Sequence, residues 1–326
     1  MKKILKIFGW LLLAVVVGVT GLLIYVKTAL PEVGEAPKLK AEGTPANIER
    51  GRYLANAVCA CMDCHSSRDW TKFSGPLLEG TLGAGGERFD QKVGFPGVFY
   101  SKNITPYGLK NWTDGEIFRA VTSGVDAEGK ALFPVMPYHA YGNMSVEDIS
   151  AIIAYLRTLP EIKKEVPASE ADFPMNFLLN TIPEKGEHLL KADESDPLKY
   201  GQYMTNAAVC LECHTQQEKG KRLEGMDFAG GFQFILPGDD TVRSSNITPD
   251  RETGIGAWTE DFFVKRFKMH SDSGYVPPAV QPGQFQTLMP WIVYSRMTEK
   301  DLKAIYAYLR TVKPVKNAVR TFSPKG

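Results

Sequence analysis

The sequence contains few cysteines and has almost no net charge. These two features argue against a disulfide within the chain and against a nucleic-acid partner. Lys and Arg number 38 against 37 Asp and Glu, and no basic cluster is interleaved with aromatic residues, so we expect no nucleic-acid partner. Four of the five cysteines lie in one repeated pattern, which leaves Cys59 alone and predicts no disulfide within the chain. The glycine-rich stretches follow no predicted strand and precede no Lys-Ser/Thr pair, so they are not phosphate-binding loops. No catalytic triad or paired-carboxylate pattern is present.

The cysteines that are present form the pattern Cys-x-x-Cys-His twice, at residues 61–65 and 210–214. This spacing is the attachment signature of c-type haem. Residues i, i+3 and i+4 share one helical face, so both thiols can form thioethers to one porphyrin edge while the imidazole reaches the iron. A zinc half-site or a redox dithiol would need neither the following His nor the duplication. The sequence therefore predicts two covalently bound haem c groups, attached through Cys61, Cys64, Cys210 and Cys213, with His65 and His214 as axial iron ligands.

The second axial ligand of each iron must come from elsewhere in the chain. The remaining histidines, His139, His188 and His270, do not occupy repeated positions. Two methionines, Met136 and Met289, do repeat, and each is followed by Pro. A thioether suits iron in a redox role and raises the reduction potential relative to a second imidazole. We therefore expect Met136 and Met289 to be the distal ligands.

Three other sulfur-bearing residues compete for these roles. Met144 and Met297 also repeat, but each directly precedes a helix N-cap, Ser145 or Thr298, where an apolar residue packs as a hydrophobic staple. Core packing is their expected role, and iron ligation is the alternative. Cys59 is expected to be a small buried apolar residue, with a reactive thiol beside the haem as the alternative.

Two repeated polar pairs are expected to have supporting roles. Asn103 and Asn246 either form hydrogen bonds within their loop or reach a haem propionate. Arg157 and Arg310 are expected on solvated helix faces.

The second half of the chain repeats the first in the same order, which favours two tandem copies of one domain over one large fold. Capping-box spacing at Thr113, Ser145 and Thr298, followed by apolar residues at helical intervals, predicts helices in both halves. Five pairs of segments carry the repeat: residues 51–57 and 201–207, 101–106 and 244–249, 112–113 and 258–259, 136–138 and 289–291, and 151–158 and 304–311.

The start of the chain predicts a membrane anchor. Lys2, Lys3 and Lys6 precede an uncharged run over residues 7–26, which Lys27 closes. Such a run spans about 30 Å as a helix, the thickness of a hydrocarbon core. It is longer than a signal-peptide core and lacks a clear cleavage site, which favours an uncleaved anchor over a cleaved signal. The denser lysines before the run place the N-terminus in the cytoplasm and the rest in the periplasm of a bacterium, as a single-pass protein of the inner membrane.

Composition predicts where the domains begin and end. Proline-rich stretches on either side of the first half indicate a tether and an inter-domain link. An apolar stretch at residues 173–182 of the link is expected to pack on a domain. The expected division is residues 1–28 membrane anchor (or signal-anchor), 29–45 tether, 46–161 first haem domain, 162–196 link, 197–314 second haem domain and 315–326 tail.

Over residues 46–314 the chain resembles the cytochrome c subunits of bacterial membrane-bound dehydrogenases that oxidise alcohol, gluconate and related substrates. The matching parts are residues 50–54, the repeated Asn-Ile-Thr-Pro, Trp-Thr and Ala-Tyr-Leu-Arg segments, Met-Pro-Tyr at 136–138, and residues 173–177 of the link. The resemblance implies a mainly α fold of two tandem cytochrome c domains behind an N-terminal transmembrane helix. Members of the alcohol dehydrogenase type carry three haem domains and a membrane attachment at the other end, so the partner enzyme stays open.

An iron held by both His and Met has no vacant position for a substrate. We therefore expect an electron-transfer protein with no catalysis of its own, taking single electrons from a dehydrogenase or quinol-linked complex of the respiratory chain. It would pass them to another cytochrome or a terminal oxidase. A diheme peroxidase-like enzyme with one open haem site is the alternative. A haem-based sensor or thiosulfate-type oxidoreductase is a third possibility, with Cys59 or His270 as the unusual ligand.

Overall fold

The computed structural model describes residues 2–218, 220–236, 238, 240–271 and 274–325. Helices dominate the regular structure in these ranges. They are α1 (Lys2–Thr28), α2 (Pro45–Tyr53), α3 (Cys61–Cys64), α4 (Pro106–Leu109), α5 (Asp114–Ser123), α6 (Tyr138–Tyr141), α7 (Val146–Leu156), α8 (Met175–Leu178), α9 (Pro197–Ala207), α10 (Cys210–Cys213), α11 (Glu260–Lys268), α12 (Trp291–Tyr294) and α13 (Glu299–Leu309). A π-helical turn, Leu54–Val58, joins α2 to the first haem motif, and 3-10 turns lie at Gln91–Val93 and Leu179–Thr181.

Short antiparallel strands lie in the segments that the sequence predicts as loops. They are β1 (Arg88–Phe89), β2 (Gly97–Tyr100), β3 (Glu170–Ala171), β4 (Gln217–Glu218), β5 (Lys221–Arg222), β6 (Gln233–Ile235), β7 (Thr241–Arg243) and β8 (Phe322–Ser323). Their orders are β1-β2-β3, β4-β5 and β6-β7-β8. Runs this short show no alternation of apolar and polar residues, so the sequence does not reveal them.

The same helix pair forms the centre of each half. In the first half α2 packs against α7, and in the second α9 packs against α13. A glycine makes each contact possible: a Cβ added to Gly51 would lie 1.8 Å from the Ala151 carbonyl oxygen, and one added to Gly201 would lie 2.0 Å from the Ala304 carbonyl oxygen. The backbones of α2 and α7 are therefore in contact at Gly51, and those of α9 and α13 at Gly201.

The expected helix starts are confirmed. Thr113 and Glu116 form a complete capping box at the start of α5. The Ser145 side chain accepts from the Asp148 backbone N–H at α7, and the Thr298 side chain accepts from Asp301 at α13. Capping is a local interaction within four residues, which is why the sequence pattern is sufficient to predict it.

The two halves share one hydrophobic core and are joined by a reciprocal pair of hydrogen bonds. The Tyr203 hydroxyl of the second half donates to Asp148 Oδ2 of the first at 2.7 Å. The Tyr53 hydroxyl of the first half donates to Asp301 of the second. Because Tyr53 corresponds to Tyr203 and Asp148 to Asp301 in the repeat, the contact is close to two-fold symmetric.

The segments outside the two halves are more ordered than their composition suggests. In the expected tether, the Ala41 N–H donates to Asp114 Oδ2 at 2.9 Å. Strand β3 lies in the expected link and pairs with β2 of the first half. Strand β8 lies in the expected tail and pairs with β7 of the second half. Each half thus ends in a strand that returns to its own sheet.

The apolar stretch of the link does not pack as expected. Phe173 is 80% exposed and Leu178 is 49% exposed, and none of the residues of α8 is buried. The stretch contacts the end of α1, and α8 also contacts β3 at the edge of the first half's sheet. Helix α1 has no buried residue itself, and by length and apolarity it is the described helix that could span a membrane, as an anchor or a signal peptide.

Candidate haem-binding site

Each haem motif is a single helical turn entered through a residue with a left-handed backbone. Ala60 precedes α3 with φ of 50°, and Val209 precedes α10 with φ of 49°. A non-glycine residue rarely adopts this conformation. A repeated tyrosine supports the turn, because the Tyr141 hydroxyl donates to the Cys59 carbonyl oxygen at 2.6 Å. The Tyr294 hydroxyl donates to the Ala208 carbonyl oxygen in the second half at 2.7 Å.

Both histidines are held in the tautomer that an iron ligand requires. His65 Nδ1 lies 2.7 Å from the Lys102 carbonyl oxygen, and His214 Nδ1 lies 2.7 Å from the Ser245 carbonyl oxygen. A carbonyl can only accept, so Nδ1 carries the proton and Nε2 keeps a free lone pair. Burial lowers the pKa of both imidazoles, which favours the neutral form. Such a carbonyl bond also fixes the orientation of a ligating ring.

The four motif cysteines form no disulfide. Burial raises the pKa of Cys61 to about 12 and of Cys64 to about 11. Burial, Glu212 and the Cys64 thiol raise the pKa of Cys213 to about 12. A reactive dithiol has a lowered thiol pKa, which these residues do not show.

Met136 and Met289 lie in matching turns. Each is half-buried and packs against the core. Pro137 has φ of −79° and ψ of 58°, and Pro290 has φ of −80° and ψ of 64°. In both turns the N–H after the proline donates to the methionine carbonyl at 2.8 Å, which makes them inverse γ-turns. The turn fixes the backbone of each methionine and leaves its thioether free.

Met144 and Met297 lie in the core, as expected. They are 0% and 2% exposed. Met144 Sδ is 3.8 Å from Cys59 Sγ, and Cys59 is itself 2% exposed. Burial also raises the pKa of the Cys59 thiol well above its usual value, so this cysteine is an unreactive core residue.

A loop of the first half holds the backbone of Met289. Ser74 Oγ donates to the Met289 carbonyl oxygen at 2.7 Å and accepts from the Trp291 N–H at 3.1 Å. The Ser74 N–H donates to Gln286 Oε1 at 2.8 Å. Gln286 Nε2 donates in turn to the Lys72 carbonyl oxygen at 2.9 Å. We call these four residues, Ser74, Gln286, Met289 and Trp291, the Met289 clamp. The sequence gives no signal for it, because Ser74 and Gln286 belong to no motif.

The repeated asparagines bind their own loops. Asn103 Oδ1 accepts from the Thr105 N–H at 3.0 Å, and Asn246 Oδ1 accepts from the Thr248 N–H at 2.9 Å. Their amide groups donate to backbone carbonyls further along the chain: Asn103 to Ile162 and Lys164, and Asn246 to Val315.

The expectation for Arg157 was wrong. Its side chain is only 31% exposed, and its Nε donates to Asp114 Oδ1 at 3.0 Å. It also donates from Nη1 to the Leu109 carbonyl at 2.9 Å, so it fastens α7 to the start of α5. Arg310 is exposed as expected. The difference lies in the tertiary neighbours, which an identical Leu-Arg-Thr sequence does not show.

Comparison with known proteins shows what the second half is similar to. Residues 198–313 match the family model described as cytochrome c. The match indicates a covalently bound haem c, and the thiols, neutral imidazole and unoccupied Nε2 lone pair of this half fit that group.

Several curated relatives are similar to both halves of the chain. The cytochrome c subunit of alcohol dehydrogenase (quinone) from Gluconacetobacter polyoxogenes is 27% identical over 86% of this chain and 59% of its own length. The fructose dehydrogenase cytochrome subunit of Gluconobacter japonicus is 29% identical over 83% of this chain and 54% of its own. A diheme cytochrome c-type protein of Cereibacter sphaeroides is 25% identical over 85% and 89%. The expected resemblance to dehydrogenase cytochrome c subunits is confirmed, although the chain spans little more than half of the first two relatives.

Proposed function

We propose that this chain is a membrane-anchored diheme c-type cytochrome that relays single electrons on the periplasmic side of the bacterial inner membrane. The electrons come from a dehydrogenase or quinol-linked complex and leave to another cytochrome or a terminal oxidase. The two haem domains correspond to residues 46–161 and 197–314. The relatives named as dehydrogenase cytochrome subunits support this role for the chain.

The repeated geometry of the two histidines carries the proposal. His65 and His214 have the same 2.7 Å bond to a carbonyl oxygen and a free Nε2. This supports a haem in the first half as well, where Cys61 and Cys64 would hold it covalently. A bound haem supplies an iron that takes up and releases one electron with little change in its surroundings.

Met136 and Met289 are the proposed distal ligands. Their turns match, they are half-buried, and the rival methionines are enclosed in the core. Two sulfur ligands would close both irons to outside molecules, which supports electron transfer over peroxide chemistry.

The packing of the halves supports an electron path between the two sites. Helix α12, which follows Met289, contacts the Leu54–Val58 turn that leads into the first motif. Helix α6, which follows Met136, contacts α9, which leads into the second motif. Each proposed distal segment therefore lies against the other half.

Haem content and two methionine variants test the proposal. The purified chain is expected to contain two haem c groups in a pyridine haemochrome assay. M136A and M289A are each expected to remove the methionine-to-iron charge-transfer band of one haem, because alanine offers no ligand. M144L and M297L are matched controls that keep the core filled and both bands.

One haem per chain would contradict the diheme proposal. Loss of a band in M144L or M297L would move the ligand assignment to the buried pair. Sustained turnover of hydrogen peroxide by the loaded protein would favour the peroxidase-like alternative.

A further inference from the structure

The link leaves apolar side chains exposed beside the end of α1. Phe173 and Leu178 are 80% and 49% exposed, and the ring centroids of Phe173 and Phe177 are 6.2 Å apart. The 3-10 turn that follows, Leu179–Thr181, has no buried residue either. We call Phe173, Leu178 and the half-buried Phe177 the link patch. A contiguous exposed apolar surface of this kind marks a place of contact with something outside the chain.

The link patch is continuous with the surface of α1. Helix α8 and the turn after it contact α1, and Asn180 Nδ2 donates to the Val26 carbonyl oxygen at 3.2 Å. Val26 lies in the last turn of the helix, directly before Lys27. If α1 spans a bilayer, this lysine marks the level at which the hydrocarbon core ends. The link patch therefore lies at the boundary between acyl chains and headgroups.

We propose that the link patch inserts into this boundary layer of the outer leaflet. The inference rests on the proposed anchoring by α1. Lipid is the occupant because no residue of α1 is buried, so the bilayer that surrounds the helix also reaches the patch beside it. Aromatic side chains are favoured at this level, and apolar surfaces there enter to about 5–10 Å.

This second contact with the bilayer limits the orientations that the two halves can take relative to the membrane. A single helix followed by a flexible segment would let them tilt and rotate. With the link patch in lipid as well, two separate points of the molecule contact the bilayer, and the haem-binding halves keep one face towards it.

Cysteine reactivity in a bilayer tests the inference. Full-length L178C is placed in lipid nanodiscs that hold one copy each and is treated with a membrane-impermeant maleimide. L198C is the matched control, since Leu198 is 47% exposed and lies on α9, away from α1. V16C reports on α1 itself. The native cysteines are expected to be silent in the haem-loaded protein, because the four motif cysteines would be the proposed thioethers and Cys59 is 2% exposed.

We expect L178C and V16C to react about tenfold more slowly than L198C, because a thiol in apolar surroundings does not form the reactive thiolate. All three should react equally after denaturation. Fast reaction of L178C with V16C protected overturns the inference and leaves the anchor intact. Fast reaction of both overturns the anchoring and the inference together. Protection of L178C in native membranes, but not in nanodiscs, would show that a protein covers the patch, and this also overturns it.

Discussion

Ser74 joins the two haem-binding halves through one hydroxyl group. The residue is 4% exposed and has φ of 62°, so its side chain is aimed by an unusual backbone into the other half. Its donor and acceptor bonds fix the backbone on both sides of Pro290. The first half therefore stabilises the position of Met289, the proposed distal ligand of the second, while the described residues include no equivalent serine bond at Met136.

S74A is expected to weaken the hold on Met289 without unfolding the chain, since alanine and serine have the same backbone preference at positive φ. A buried hydrogen bond is worth about 1 kcal/mol, or about fivefold in an equilibrium constant. Added imidazole should therefore displace the methionine of the second haem about fivefold more readily. Titration of the charge-transfer bands measures this, with the Met136 band as the internal control. If imidazole displaced the methionine of both haems equally more readily in S74A, the proposed role of the Met289 clamp would be contradicted.

At the scale of the helices, one glycine in each half sets the distance between the first and last helix. Gly51 and Gly201 occupy the same position in the repeat and meet the same carbonyl of the partner helix. Any side chain there would have to separate the helices, because the obstacle is backbone and cannot rotate away.

G51A and G201A are each expected to destabilise the protein by about 3 kcal/mol through overpacking. Denaturant unfolding followed by circular dichroism measures the loss. G43A is the matched control, because an added Cβ at Gly43 has nothing within 4 Å. A G51A protein as stable as G43A would show that the helix pair can separate without cost.

A buried ion pair fixes the start of α7 against α2. The Asp148 side chain is 2% exposed and accepts from Arg50 at 2.8 Å. Burial alone would raise the pKa of Asp148, but the Arg50 and Tyr203 bonds outweigh it and lower the pKa below its usual value. The folded state therefore binds this proton less tightly than the unfolded state.

The Asp148 ion pair makes the stability of the fold depend on pH. The stabilisation is complete above the unfolded pKa of about 3.9 and is lost as the pH falls through the lower folded pKa. D148N is expected to cost about 3 kcal/mol near neutral pH, because it leaves the Arg50 charge without its partner. The difference from the unsubstituted chain should shrink below about pH 4. Unfolding at several pH values measures it, with E147Q at the exposed neighbouring position as control. A difference that does not change with pH would contradict the ionised pair.

At the scale of the whole molecule, the two halves share one hydrophobic core and two crossing hydrogen bonds, so we expect them to unfold together. The Tyr203 and Tyr53 hydroxyls each donate across the junction to a carboxylate in the first turn of the last helix of the other half. Each carboxylate also keeps a partner of its own half: Arg50 for Asp148 and Tyr200 for Asp301. Removing the two tyrosine hydroxyls therefore weakens the junction and leaves each carboxylate one partner, although the Ser145 and Thr298 N–H groups lose an acceptor.

The double variant Y53F/Y203F is expected to divide unfolding into two steps, because each hydrogen bond to a carboxylate contributes about 1.5–3 kcal/mol. Denaturant curves followed by haem absorbance and by circular dichroism should no longer coincide. Y107F is the control, since Tyr107 bonds Glu165 at the surface of the first half. Coincident curves in the double variant would show that the shared apolar core alone joins the halves.

Interactions of short sequence range were predictable from the chain. The helix starts at Thr113, Ser145 and Thr298 follow from residues three positions apart. The core positions of Met144 and Met297 follow from their places before those caps. Contacts between distant residues were not predictable. The hydrogen bonds from Arg157 to backbone carbonyl groups and the exposure of the link patch depend on which surfaces come together.

The sequence by itself determined the chemistry that the chain offers, because two thiols and an imidazole on one helical turn need only local spacing. It also determined the apolar length of α1. The tertiary structure alone decided how the two halves meet, which loop fastens Met289 and which apolar residues stay uncovered beside α1. Those contacts join positions up to about 250 residues apart through single side chains, as with Tyr53 and Asp301, and no periodic pattern encodes such pairs.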